Sequence, residues 1–427
     1  MVDDDKLFTP PVATAEQRAA AHAADWPDDF LQRMLNLRPP SWRVEQYLTS
    51  TGWPTVDMIA NEVSDRERLT SGLVSREATW EDDERLSDLF ANSTERLGDW
   101  DVVVERSPNP YAQQRLHENW HIKMLVDRGV AVASSAAAGR SSLVGGQQVS
   151  VGWMGSWRVR NGFRRSGFSS LLLNTPGSAA NVFGMISYWY VRIENQTAST
   201  WISHEVTGVQ TANGRSFEKL TATVHHLDPS VATAVPPVVG QRIRNIQPDD
   251  LARCVELINS THSGLDLFRP YSVDFLRHRL DDLFWGPKPP FVPSIYGWQD
   301  MVVLEEGGRI IACGGLWDRG RDVRERWTNR TTSESHTVDG TCLLDFGFET
   351  GRAAAMAAVI DHHLSTTRSL GRGSLALPVE FLPDVLALLP SEAVRAETRT
   401  LETMGFSDGN VRVDAAITRP YTDLGYW

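Results

Sequence analysis

Cysteine is scarce: Cys254, Cys313 and Cys342 are the whole supply in 427 residues. None forms a CxxC pair, and three thiols are too few for a disulfide framework, so a cytoplasmic location is expected. The opening MVDDDK is acidic and has no apolar core, which gives no sign of a signal peptide. No apolar run approaches the length that spans a bilayer, so no membrane partner is expected. A GxSxG elbow with a Ser-His-Asp arrangement is missing, and so is a Walker A loop. Gly145-Gly146 lies in a turn before a strand and is no dinucleotide fingerprint. Basic surplus is also lacking. The formal net charge of −12 argues against a nucleic-acid partner and is compatible with a cationic substrate such as an amine.

What is present is ordinary globular composition, with 41% hydrophobic and 22% charged residues. The length suggests two or three domains with real cores. The 15 tryptophans read mostly as core, with some lining an apolar or aromatic acceptor pocket.

The most informative stretch is Val149 to Leu173, VSVGWMGSWRVRNGFRRSGFSSLLL. It reads as a strand, a tight loop rich in Arg and Gly, and the start of an apolar helix. Arg164-Arg165-Ser166-Gly167-Phe168-Ser169 suits a pyrophosphate. Gly167 lets the backbone approach closely, and N–H groups of the following helical turn point at the anion. Arg164 and Arg165 add charge-assisted hydrogen bonds. The competing reading is an ordinary strand–loop–helix turn with surface arginines.

This stretch resembles the acyl-CoA-binding motif of the GNAT acyltransferase superfamily: a strand ending in Val, an aromatic, Arg/Gln-x-x-Gly-x-Gly/Ala, then an apolar helix. Val159, Phe163, Arg164, Gly167, Ser169 and Leu171-Leu172 fall at those places, with Ser169 in place of the usual Gly or Ala. The resemblance implies that the loop holds the CoA pyrophosphate, and that the strand carrying Trp157 and Val159 lies along the pantetheine arm. After a buried strand the family often shows Asn-x-x-Ala-x-x-Tyr; here Asn195, Ala198 and Trp201 stand there. Asn195 would then contact the CoA arm. Trp201 replaces the family's general-acid tyrosine, and an indole cannot protonate a thiolate at neutral pH.

The rest of the chain is read around that motif. Residues 1–71 look helical, from the Ala-rich Ala13–Ala24 through Pro27–Leu37 to Val56–Val63. This extension is long enough to cover a cleft, to pair two copies as a homodimer, or to pack on the first domain. Residues 72–228 follow the order of a GNAT domain. In it Leu73–Trp80 is expected as a strand, Glu81–Phe90 and Pro108–Arg128 as helices, and Val130–Ala137, Val149–Val159 and Phe183–Ile193 as strands. Gly139–Gly146 reads as a turn region, Asn195–Ser203 as a short helix, and Val206 to His226 as a hairpin turning at Asn213-Gly214. Residues 229–240 are a Pro-rich linker. Residues 241–427 repeat the order, ending in a strand at Val411–Thr418. The fold class expected is α/β with a mixed sheet, α+β in character: two tandem GNAT-like domains behind a helical extension. In the second, Phe348-Glu349-Thr350-Gly351-Arg352-Ala353 stands where the anion loop belongs. Phe348 replaces the Arg/Gln, and Glu349 puts a negative charge where a phosphate would sit. That domain reads as a degenerate partner, as in tandem acyltransferases of the mycothiol-synthase type.

His117-Glu118-Asn119-Trp120-His121 matches HExxH on a predicted helix, where His117 and His121 would share a face and bind zinc with Glu118 as base. No third ligand follows nearby apart from Asp127, so no metal is expected. On the resemblance, His117 or Glu118 faces the acceptor amine instead. Glu205, with His204, follows the short helix and borders the thiol end of CoA, or is simply a helix end. Tyr190 on the buried strand is a candidate proton donor against a competing role in core packing. By analogy with some tandem acyltransferases, the terminal carboxylate at Trp427 is a further candidate base.

The function these readings imply is transfer of an acyl group, most simply acetyl, from acyl-CoA to the amine of a small molecule by direct attack. Glu118, His117 and Glu205 lead as base, and Tyr190 as acid. Three alternatives stand beside it: a non-catalytic acyl-CoA sensor or scaffold, other CoA-thioester chemistry such as decarboxylation, and the zinc hydrolase.

Overall fold

From Trp120 to Asp127 the apolar side chains of Ile122, Met124 and Val126 fall on every second residue, and all three are buried. That is the period of a pleated strand with one face in a core. The computed structural model describes residues 13–23, 73–163, 186–192, 216–231, 240–284, 294–379, 382–390, 394–405, 417 and 419–422. In chain order these form α1 (Ala15–Ala23), β1 (Leu73–Glu77), α2 (Asp83–Ala91), β2 (Thr94–Leu97), β3 (Trp100–Arg106), β4 (Trp120–Asp127), β5 (Val130–Val144) and β6 (Gln147–Val159). Next come β7 (Ile186–Arg192), β8 (Ser216–Leu227), β9 (Gln241–Asn245), α3 (Leu251–Thr261), α4 (Val273–Leu280), β10 (Met301–Glu306) and β11 (Arg309–Trp317). The chain ends with α5 (Arg319–Asp322), β12 (Val323–Asn329), β13 (Ser335–Val338), β14 (Thr341–Phe348), α6 (Ala353–Ser369), β15 (Leu375–Leu377), α7 (Pro383–Leu386) and β16 (Val394–Gly405).

The fold class is α/β with a mixed sheet, built twice. One 12-stranded sheet runs β1-β4-β5-β6-β7-β16-β8-β15-β14-β11-β10-β9. The order is a palindrome of matched roles. β1, β4, β5, β6 and β7 on one side correspond to β9, β10, β11, β14 and β15 on the other. Within each half the neighbours are antiparallel except one parallel pair, β6 with β7 and β14 with β15. The last strand of each half crosses over: β8 pairs with β15, and β16 pairs with β7. The two crossed strands pair with each other along their whole length. A second sheet, β13-β12-β3-β2, joins the halves again through seven antiparallel partners, from Val323–Arg106 to Asn329–Trp100.

Local chemistry explains the turns and helices. Gly145-Gly146 and Gly307-Gly308 all have positive φ, which suits the tight hairpins β5–β6 and β10–β11. In α1 the Thr14 hydroxyl accepts from the Gln17 amide at 3.1 Å, and the Gln17 side chain answers the Thr14 amide at 3.0 Å. α6 follows Gly351 and buries Met356, Val359, Ile360 and Leu364 at helical spacing. Each such side chain contributes about 1.5–3 kcal/mol of burial. α6 covers one face of the second half, with Leu343, Leu377 and Ile311. α3 and α4 cover the other, with Val303, Trp317 and Leu344. The first half has its own core around Leu86, Met124, Val151, Tyr188 and Leu401. Among the described residues no helix is long and apolar enough to cross a membrane.

Two sequence expectations are corrected, and one strand is new. Pro108–Arg128 is not a helix: a short turn at Gln114–Leu116 is followed by strand β4. Gly139–Gly146 is not all turn, because β5 runs to Val144. The long strand at Val394–Gly405 was not anticipated. The helices expected at 27–37, 56–63 and 195–203, the turn at 213–214, and nearly all of the strand at 411–418 lie outside the described residues.

Candidate active site at the parallel-strand cleft

β6 and β7 are parallel neighbours for only three residue pairs, Val151–Ile186 to Trp153–Tyr188. Beyond them β6 continues to Val159 on β5, while β7 continues to Arg192 on β16. The sheet therefore opens a cleft between two diverging arms. At its mouth β6 carries a bulge, where the β5–β6 register shifts between Ser134 and Ala136 and Ser156 has φ +52°. A bulge takes one residue's backbone out of the ladder and re-aims the strand. The neighbouring Gly155 is required: a Cβ there would sit 2.3 Å from the Trp153 ring. Arg106 fixes the bulge from below, donating to the Ser156 hydroxyl at 3.0 Å and to Gln113 at 2.7 Å.

The second half repeats this device and fills it. β14 and β15 pair only at Thr341–Leu375 and Cys342–Ala376. The β11–β14 register shifts between Cys313 and Gly315, and Asp345 has φ +50°. Asp345 accepts from the Tyr271 hydroxyl at 2.7 Å and pairs with Arg279 at 2.9 Å. A Cβ at Gly315 would fall 1.7 Å from the Tyr296 hydroxyl, so a tyrosine packs against the bare strand. Glu349 in the loop before α6 is held by Arg253 and by Arg309, the latter at 2.5 Å. Its charge is matched from within.

Where the halves meet lies a small pocket of about 10 Å³, room for about one water, lined by His117, Glu118, Arg140, Arg269, Tyr271, Phe275, Arg279 and Tyr421. Glu118 pairs with Arg269, whose guanidinium lies 3.7 Å from the Phe275 ring centre. Arg140 donates to the Leu267 carbonyl at 2.8 Å. His117 is buried. Its ring is 6.0 Å from that of Trp120, which is 5.4 Å from that of Trp153 on β6. A line of aromatic rings therefore runs from the pocket to the strand that bears the bulge. On the other arm the Tyr190 hydroxyl meets the Tyr421 carbonyl at 3.4 Å. The segment carrying Tyr421 is pinned to Asp266, donating from the Tyr421 amide at 2.7 Å and accepting at the Arg419 carbonyl at 2.9 Å.

Three of the four expected catalytic residues thus gather at one place: His117 and Glu118 line the pocket, and Tyr190 touches its Tyr421 wall. Glu205 lies outside the described residues, as do Arg164, Arg165, Ser166, Gly167, Phe168, Ser169 and Asn195. Trp157 and Val159 stand on the diverging arm of β6. The Val159 side chain packs with Leu125, Val132 and Ala133, so it offers the cleft its backbone alone. The HExxH reading is overturned. His117 ends a short turn in extended conformation, Asn119 has φ +53°, and His121 lies on β4 facing Glu77 at 3.5 Å. The two imidazoles share no helical face. Among the described residues no group of His, Cys, Asp or Glu is placed to hold a metal ion.

The cysteines are buried. Burial pushes the Cys342 thiol up to about 12, and contact with Cys254 together with burial holds Cys313 well above the usual thiol range. Neither offers a thiolate nucleophile at neutral pH. Sequence reasoning missed Arg140, Arg269, Arg279 and Tyr421. They come from three separate segments, and no local pattern links them.

No protein-family model matches the sequence, and no curated protein matches it. Among solved structures the chain is similar to Saccharomyces cerevisiae N-myristoyltransferase with bound myristoyl-CoA, at 10% identity over 81% of this chain and 83% of that one, with TM-score 0.49. It is also similar to a GCN5-related N-acetyltransferase from Sphaerobacter thermophilus, at 13% identity over 83% of this chain and 98% of that one, with TM-score 0.44. A third is a GCN5-related N-acetyltransferase from Kribbella flavida, at 13% identity over 78% of this chain and 70% of that one, with TM-score 0.41. At these values the similarity lies in the arrangement of the chain and assigns no residue a role.

Proposed function

We propose that this chain is an acyltransferase of the GNAT type, moving an acyl group from acyl-CoA to the amine of a small molecule by direct attack. The observation that carries the reading is the parallel pair β6–β7, which opens after three residue pairs beside a bulge at Ser156. That arm of β6 leads directly into the Arg164–Ser169 segment, whose sequence suits a pyrophosphate. A thioester laid in the cleft would meet backbone groups turned out of the ladder at the bulge, a source of oxyanion stabilisation. The second half then serves as a wall, because Asp345, Tyr296 and Glu349 occupy its own cleft and loop with internal partners.

In this reading the amine binds on the cleft side of the wall that carries His117 and Glu118, and one of them takes its proton directly or through a water held in the small pocket between them. Tyr190 would return a proton toward the leaving thiolate. Acetyl-CoA is the simplest donor. Titrating the purified protein with acetyl-CoA by calorimetry, beside an Arg164→Ala/Arg165→Ala double variant, tests the assignment. Micromolar binding that the variant loses supports the cleft and its loop as the CoA site. No binding, or binding that the variant keeps, removes the basis for the reading.

A further inference from the structure

Beneath the β6 bulge, around the Arg106 that holds it, lies a concentration of arginine. Arg106 is 5% exposed. Its guanidinium sits 4.4 Å from the Phe90 ring centre, and only one of its nitrogens, Nη2, finds hydrogen-bond partners. Its Nε and Nη1 are buried with none, and among the described residues no carboxylate pairs with it. Burial, then the nearby charges of Arg158 and Arg319, bring its pKa down to about 9.

Around it, among the described residues, arginine outnumbers acid. Arg158 stands on the diverging arm of β6, Arg192 at the end of β7, Arg399 beside it on β16, and Arg319 on α5. The carboxylates among them are Glu325, Glu397 and Glu95. Glu325 is shared by Arg192 at 2.6 Å and Arg319 at 3.4 Å. Glu397 serves Arg399 and His226, each at 2.9 Å. Glu95 lies 3.9 Å from Arg158 and also acts on Arg192. Asp318 is bound to Arg372 at 2.7 Å and Asp322 to Arg321 at 2.9 Å, so neither relieves the group. Among the described residues five guanidiniums face three carboxylates, and Arg106 keeps two buried nitrogens without a partner. A like-charge surplus of this kind, held out of water, costs stability until an anion joins it.

We infer that this cluster receives a carboxylate carried by one of the two substrates, entering between the partly exposed Arg158 and Arg192 with Arg106 as its buried wall. The inference rests on the acyl-transfer reading, because the cluster flanks the bulge where the acyl group would lie. A planar carboxylate matches the two-pronged donor face of a guanidinium. Two sources share that chemistry: the far end of a dicarboxylic acyl chain, or an acidic group on the acceptor.

Calorimetry on the full chain separates them. Succinyl-CoA and acetyl-CoA are titrated into wild type, Arg106→Met and Arg158→Gln, and glutamate is titrated into each protein loaded with acetyl-CoA. If the acyl chain supplies the anion, wild type prefers succinyl-CoA by about tenfold or more, both variants lose that preference, and Arg158→Gln, which leaves the bulge contacts in place, still binds acetyl-CoA. If the acceptor supplies it, the two CoA esters bind alike, and glutamate binds wild type but neither variant. Equal binding of both esters with no glutamate binding overturns the inference. So does an Arg158→Gln variant that loses acetyl-CoA as much as succinyl-CoA, since the cluster would then hold a phosphate of CoA itself. If neither ester binds wild type, the acyl-transfer reading falls. Thermal shifts with succinate or glutamate then decide the anion site alone: a shift seen only with the arginines intact supports it, and none overturns it. Unliganded Arg106→Met is expected to melt no lower than wild type. Should it fail to fold, the more exposed Arg158→Gln carries the test.

Discussion

Ser156 and Asp345 hold the same place in the two halves. Each is the left-handed residue of the bulge on the strand that begins the parallel pair, with φ of +52° and +50°. The backbone device is the same, but the side chains differ in use. The Ser156 hydroxyl accepts from Arg106, whereas Asp345 closes its own cleft by accepting from Tyr271 and pairing with Arg279. Both Asp345 and Arg279 are buried, so neither charge has water to fall back on. Asn tolerates the left-handed conformation nearly as well as Asp, so Asp345→Asn changes the charge and not the backbone. We expect this variant to lose about 3 kcal/mol in denaturant unfolding, the cost of taking its carboxylate partner from a buried cation. A loss under about 0.5 kcal/mol would mean that Asp345 does not hold this wall together.

Arg192 and Arg399 face each other directly across β7 and β16, two like charges in register. Like charges directly opposite destabilise a sheet, so the join depends on the carboxylates between them. Burial alone would push Glu325 up, but Arg192, Arg319 and Arg399 hold it at about 2. Glu397 is held below the carboxylate range by the same kind of neighbours, against burial. A depressed folded-state pKa gives stability that is present above the unfolded value and lost as pH falls through the folded one. The Glu325 contribution should therefore be complete above about pH 4.5 and fade toward pH 2. Glu325→Gln should unfold more easily than wild type at pH 6, by about 3 kcal/mol, and the gap should close on acidification. Urea midpoints at pH 6, 4.5 and 3 provide the check. A gap independent of pH would assign the loss to packing.

Much of the second half could be read from its sequence because its elements carry single periods. Met301–Glu306 and Arg309–Trp317 flank Gly307-Gly308, and Ala353–Ser369 repeats apolar residues at helical spacing. The region 108–128 carried two periods at once. Leu116, Trp120, Met124 and Asp127 fit a helix face, while Ile122, Met124 and Val126 fit a strand, and only pairing with β1 and β5 settles the choice. His117 and Glu118 were found because an HExxH pattern drew notice to them, although the helix behind it does not exist. The exchange of β8 and β16 was beyond local reading, since the partners of β16 lie more than 150 residues away in the chain. The same distance hides Tyr421 and the arginines of the pocket.

His363 on α6 offers a pH test of the second half's core. It is buried and hydrogen-bonds the Gly314 carbonyl at 3.0 Å, which requires its Nε2 to carry a proton and fits the neutral ring. Burial lowers its pKa from 6.5 to about 4. Between those values the unfolded chain takes up a proton that the folded one refuses, so stability falls as pH drops from about 6.5 to about 4. His363→Gln keeps a donor but does not titrate. The difference in stability between wild type and this variant should shift against wild type across that window, by up to about 3 kcal/mol. Taking the difference cancels Asp83 and Asp300, whose pKa values burial raises to about 6 and whose contributions run the other way. A difference that stays flat between pH 7 and 4 would show that His363 does not stay neutral in the fold.

The division of labour between His117 and Glu118 follows from what each touches. Glu118 is committed to Arg269, so its carboxylate chiefly sets where that guanidinium lies on the pocket wall. His117 is the titratable ring on the same wall, joined through Trp120 to Trp153, three residues before the bulge at Ser156. If acyl transfer runs as proposed, His117→Asn should lower kcat by about 100-fold, the usual scale for losing a positioned base. Calorimetric binding of acetyl-CoA should be unchanged, because the cleft and its loop are untouched. Glu118→Gln should act mainly on KM for the amine, since it loosens Arg269 without removing the proton acceptor. The pH–rate profile separates the two roles. Loss of the acidic limb in His117→Asn, with that limb kept in Glu118→Gln, assigns the base to His117. The reverse pattern assigns it to Glu118, and a kcat unmoved by His117→Asn removes the ring from the proton path.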